Sequence, residues 1–137
     1  MKYIALIVGS AGLAACSTAP EPVARSAERQ AEYNMLIEGK VAGAPVDCLP
    51  RFDSNDMRAI DDQTAVFKGV GNDKVYVTRF GGSCYNLGAP GYALVTKQYG
   101  EERLCRGDIA QIVQSSSGLT VGSCVIGDFV PYTTPGR

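Results

Sequence analysis

Asp61 and Asp62 stand side by side, and these paired carboxylates are the chain's nearest approach to acid–base chemistry. Such a pair works when its surroundings push the two pKa values apart, leaving one group protonated and the other ionised. Neighbours in a strand point to opposite faces, whereas aspartates in a turn accept hydrogen bonds from their own backbone. Ile60 precedes the pair and the β-prone run Thr64–Lys68 follows it, so a bend is expected, with both carboxylates shaping it. The chain has no histidine, which removes the commonest general base, nucleophile partner and metal ligand. The serines Ser115 to Ser117 therefore have no imidazole to activate them. Asp53-Ser54-Asn55-Asp56 begins like a calcium loop, but Met57 stands where a third ligand belongs and no glycine follows. A polar turn or helix cap is the expectation there. Arg106-Gly107-Asp108 spells the integrin-recognition tripeptide, yet glycine permits a tight turn and aspartate can open the next strand. Gly81-Gly82-Ser83 lacks the helix and lysine that follow a phosphate loop. Tyr76, Phe80, Tyr85, Tyr92 and Tyr99 could line a sugar or peptide groove, although aromatics in strands are more often core or cross-strand partners. No catalytic residue, cofactor or metal is expected.

The chain has five cysteines. Cys16 lies far from the others, close to the N-terminus, and leaves an even set: Cys48, Cys84, Cys105 and Cys124. An even set in an exported chain reads as two disulfides. A zinc site would need closely spaced C-x2-4-C pairs, and none is present. Three connectivities are open. Cys48–Cys84 with Cys105–Cys124 is favoured because those pairs close the shortest loops.

Cys16 ends a short apolar segment. Lys2 supplies a positive start, and Tyr3 to Leu13 is apolar apart from Gly9, Ser10 and Gly12. That is too short for a membrane-spanning helix, which needs about 20 apolar residues, and it suits a signal peptide. Leu13-Ala14-Ala15-Cys16 resembles the lipobox of bacterial lipoproteins. The resemblance implies cleavage after residue 15, a lipid on Cys16 and a membrane tether outside the cytoplasm. Ser17, rather than aspartate, after the cysteine implies the outer membrane. Cleavage would leave about 120 residues, enough for one domain. The whole chain has 13 basic and 14 acidic side chains and a formal charge of −1, and losing Lys2 makes it one unit more negative. Near balance gives no footprint for nucleic acid.

The elements read as follows. Residues 16–38 are an anchored tether, small and Pro-containing at first, whose stretch 25–38 can form a short helix capped by Ser26. Residues 39–137 read as a β domain. Thr64–Lys68 and Val75–Phe80 flank the turn-rich Gly69-Val70-Gly71-Asn72-Asp73 as a hairpin. Tyr92–Thr96, Ile109–Val113 and Leu119–Ile126 are further strands, with Phe129–Tyr132 as a short edge. Short strands at regular spacing predict a mainly β fold, a small disulfide-pinned antiparallel β-sandwich or barrel.

Several strings lie in a distinctive order: Val46-Asp47-Cys48-Leu49, Asp61-Asp62-Gln63-Thr64, Val75-Tyr76-Val77-Thr78-Arg79-Phe80, Cys84-Tyr85-Asn86-Leu87, Leu104-Cys105-Arg106-Gly107-Asp108-Ile109 and Cys124-Val125-Ile126-Gly127-Asp128-Phe129. Over roughly residues 38–132 the chain resembles a family of uncharacterised proteobacterial lipoproteins, well represented in sphingomonads and described only as a domain of unknown function. The resemblance implies a module and its location, and no chemistry. The expectation is a non-enzymatic binding or structural module on the periplasmic side of the outer membrane, meeting an envelope protein or glycan. The alternative is a carboxylate-dependent hydrolase acting on an envelope glycan, which needs two carboxyls about 5–10 Å apart in a cleft.

Overall fold

The computed structural model describes residues 25–50, 53, 56–82, 84–97 and 103–136. The expected leader, Cys16 and the expected tether up to Ala24 lie outside the described residues, as do Ser54, Asn55, Ser83 and Tyr99.

Among the described residues one helix, α1 (Ala27–Ile37), precedes seven strands: β1 (Val41–Ala42), β2 (Met57–Ala59), β3 (Thr64–Lys68), β4 (Lys74–Gly81), β5 (Tyr92–Thr96), β6 (Ile109–Gln114) and β7 (Thr120–Thr133). The protein is mainly β, and its strands form one antiparallel sheet that curls into a half-barrel. The strand order is β2-β3-β4-β7-β6-β5, with β1 also paired to β7. The predicted hairpin is present as β3 and β4, joined in register from Lys68–Val75 to Thr64–Arg79. The last strand differs from expectation. Leu119–Ile126 and Phe129–Tyr132 read as separate pieces, but they form a continuous strand of 14 residues through the middle of the sheet.

A bulge makes that continuity possible. Thr78 pairs with Phe129 and Phe80 with Ile126, so Arg79 alone opposes both Gly127 and Asp128. The extra residue restores alternation after a slip. It lets Ile126 and Phe129 both point into the core and turns Asp128 outward. Only glycine fits at position 127, because a Cβ there would collide with the backbone carbonyl of Arg79. Gly127→Ala is therefore expected to cost about 1–3 kcal/mol through forced backbone shifts. Urea unfolding would measure it, and an unchanged midpoint would contradict the bulge. Pro131 is tolerated in a central strand for a related reason. Its carbonyl accepts the Gly43 N–H at 2.7 Å, so its nitrogen faces β1 and its missing N–H removes no bond to β4.

The sheet buries both of its faces around β3 and β4. On one face Ala65, Phe67, Tyr76, Phe80, Ile112, Ile126 and Phe129 pack with Leu49, Leu104 and the Cys84 and Cys124 sulfurs. On the other face Val66, Val75 and Val77 meet Tyr33, Leu36 and Ile37 of α1. This explains why Thr64 to Phe67 are all buried instead of alternating. α1 begins as expected, with the Ser26 hydroxyl accepting the Arg29 N–H at 3.2 Å. Arg29 pairs with Glu32 at 3.0 Å and also donates to the Ala59 carbonyl at 3.2 Å, which ties the helix to β2. Past α1 the described residues leave the same outer face uncovered, and Val95, Ile109, Val121 and Val125 are exposed there.

The disulfides correct the favoured pairing. Cys48 is joined to Cys105 and Cys84 to Cys124. Shortest loops do not govern here, because strand order decides which cysteines meet. Cys48 and Cys105 face one another as an antiparallel bridge pair, while Cys124 lies opposite Ala110, on β6. The bridges span 57 and 40 residues.

Candidate functional site

The bulge also builds a cleft on the outer face. Three rows of side chains lie side by side there. Thr64, Arg79 and Asp128 form one row across β3, β4 and β7, as the register and the bulge require. Val66, Val77 and Val130 form the next, and Val75 sits beside Tyr132 in the third. α1 contributes Tyr33 beside these rows, and Arg25 enters from just before the Ser26 cap. The result is a cleft of about 510 Å³ lined by Arg25, Tyr33, Thr64, Val77, Arg79, Asp128, Val130 and Tyr132. Val77 and Val130 give it an apolar floor, and its rim is polar.

The charges in this cleft are unequally occupied. Arg25 Nε donates to Asp61 Oδ2 at 2.8 Å, and its guanidinium also lies 4.7 Å from the centre of the Tyr33 ring. Asp128 is paired with Arg106 at 3.0 Å. Arg79 makes no ion pair among the described residues. Burial pushes the Tyr33 phenol upward, reinforced by its hydrogen bond with Tyr132, and the nearby Arg25 and Arg79 charges only partly oppose that. Tyr33 is therefore a neutral donor at neutral pH.

Asp61 does what a turn aspartate is expected to do. Its Oδ1 accepts the Gln63 N–H at 2.8 Å. Burial alone would raise its carboxyl, but the bonds from Gln63, Arg25 and Thr64, with the Arg25 charge, outweigh it and hold the pKa below the ordinary carboxylate value. A carboxyl held low has no proton to give at neutral pH, so Asp61 is unsuited to general-acid work. A depressed folded pKa adds stability above the unfolded value of about 3.9 and loses it as pH falls through the folded value. Asp61→Asn keeps the Gln63 bond and removes the charge pair. It is expected to cost about 1 kcal/mol at pH 7, with the gap from wild type closing below about pH 4. Thermal unfolding across pH would reveal it, and a gap that widens in acid would contradict the pairing.

Asp61 and Asp62 both border a second cleft, of about 440 Å³, on the side of the loop Tyr85 to Pro90. Asp53 is buried, and its Oδ1 accepts the Val70 N–H at 2.9 Å. Burial, the Asp53 charge and a hydrogen bond to that carboxylate all push the Tyr76 phenol upward. Asp53 thus fastens the β3–β4 turn to the sheet. Arg106-Gly107-Asp108 is a turn, with Gly107 at φ +90°. Asp108 accepts the Cys105 N–H at 2.8 Å, and Arg106 is engaged by Asp47 and Asp128. Tyr76 and Phe80 are core, Tyr92 is half-buried and Tyr85 is exposed. Among the described residues no group of three or more His, Cys, Asp or Glu side chains is placed to hold a metal. Arg25, Arg79, Asp128 and Tyr132 were not legible as a set. Gly127 inside an alternating strand was the one available signal, since a lone glycine there marks a bulge.

Comparison of the chain with protein-family models, with curated proteins and with solved structures found no match.

Proposed function

We propose that this is an envelope lipoprotein, tethered through a lipid on Cys16 to the periplasmic side of the outer membrane, where it acts as a non-enzymatic binding or structural module. The observation that carries the reading is the short apolar leader closing on Leu13-Ala14-Ala15-Cys16. The resemblance of the cysteine-centred strings to uncharacterised proteobacterial lipoproteins belongs to the same proposal. Among the described residues no helix is long and apolar enough to cross a membrane. The outer-face cleft supports a binding role, since it combines an apolar floor with a few fixed polar groups. The low carboxyl of Asp61 weighs against that residue as the general acid of the hydrolase alternative.

Cys16→Ser is expected to abolish labelling by a fatty-acid analogue and to move the protein out of the membrane fraction. Undiminished label in that variant would sink the proposal.

A further inference from the structure

We propose that the outer-face cleft binds a ligand bearing a single carboxylate, with Arg79 as the group that takes it. The inference deepens the binding-module reading above and rests on it. Arg79 stands in the central strand β4, between Thr64 on β3 and the Gly127–Asp128 bulge of β7. The other charges lining the cleft are engaged, Arg25 by Asp61 and Asp128 by Arg106. Arg79 is exposed to solvent and is the one charge lining the cleft without an ion pair among the described residues.

The form of the site selects the anion. A guanidinium presents a planar fork that matches a carboxylate with two parallel hydrogen bonds. Tyr33 and Tyr132 both line the cleft, and a phenol O–H can donate to a carboxylate oxygen. Val77 and Val130 offer contact for a carbon skeleton. The carboxylate of Asp128 stands on the same row as Arg79, where like-charge repulsion disfavours a dianion such as phosphate more than a monoanion. The volume of about 510 Å³ is in the range of small-ligand sites. An acidic sugar and a peptide C-terminus share this chemistry, and the test separates them.

The full chain in mild detergent would be titrated with glucuronate and glucose, and with N-acetyl-D-alanyl-D-alanine and its C-terminal amide. The Arg79 Nε–H NMR signal reports on the site, assigned by its loss in Arg79→Lys. One carboxylated probe is expected to bind at about 1 mM or tighter and to shift that signal, while its neutral counterpart does not. The probe that acts identifies the source. Arg79→Gln is expected to weaken binding about tenfold or more, as loss of a charged hydrogen-bond pair implies. Should that variant fail to fold, Arg79→Lys keeps the charge without the fork and is expected to weaken binding in the same direction. The proposal is overturned if neither carboxylated probe moves the Arg79 signal at about 10 mM, if the neutral partners bind as well, or if the Arg79 variants bind like wild type. Such a result leaves the lipid-anchor reading intact, because the Cys16→Ser labelling result is independent of it.

Discussion

Replacing Cys84 and Cys124 together with alanine is expected to lower the unfolding free energy by about 4 kcal/mol. The bridge spans 40 residues, and cross-linking a loop of that size removes entropy worth about 4 kcal/mol from the unfolded chain. Burial adds to this. Cys84 is 0% and Cys124 4% exposed, and both belong to the same core cluster as Phe80, Ile126 and Leu104, so truncation also leaves a gap in the core. The Cys48–Cys105 bridge has a longer loop of 57 residues, but both of its cysteines are only half-buried. Under mild reductant it is therefore expected to open first, with the core bridge surviving until the domain unfolds. Non-reducing peptide mapping after partial reduction would report the order, and urea unfolding the energy. A peptide linking Cys105 to Cys124 would overturn the strand order on which both statements depend.

That strand order is the part of the fold that local sequence does not carry. The β3–β4 hairpin could be read because period-2 runs flank a cluster of turn formers, and α1 because Ser26 marks its start. Both are local signals. β7, by contrast, pairs with β4, β6 and β1, and nothing in its own residues names those partners. Its continuity was hidden twice. Gly127-Asp128 breaks the alternation, and Pro131 resembles an edge signal when the β1 side of that position is unknown. β1 and β2 have only two and three residues, too few for a period to show. The cysteine pairing failed with the strand order, since loop length cannot stand in for spatial adjacency. The cleft was illegible for the same reason. Arg25, Tyr33, Arg79 and Tyr132 come from separate segments, and the sheet register together with α1 brings them into one cleft. The Asp61 turn role needed only its neighbours, and it could be read.

Phe129→Ala is the second large effect, expected at about 3–5 kcal/mol. Phe129 is 0% exposed and heads the largest fully buried side chains. Its ring meets Phe67 edge-on, with centroids 5.9 Å apart, a geometry worth about 0.5–1.5 kcal/mol beyond area burial. Its backbone is bonded to Val46 in both directions, at 2.8 and 3.0 Å, and alanine keeps those bonds. The loss should therefore come from the side chain, with strand content preserved by circular dichroism. Val70→Ala is the matched control, because Val70 is 79% exposed and should change stability by no more than about 0.5 kcal/mol. The measurement reaches beyond the core. Ile126 and Phe129 are three residues apart, and in an unbroken strand they would point to opposite faces. Both are buried in one cluster only because Gly127 and Asp128 share a place in the register. If Phe129→Ala cost less than about 1 kcal/mol, the ring would not be in that cluster. The bulge would then be absent, and Asp128 would no longer stand beside Arg79. A large loss here supports the core and the placement of the outer-face cleft together, because one extra residue in β7 is responsible for both.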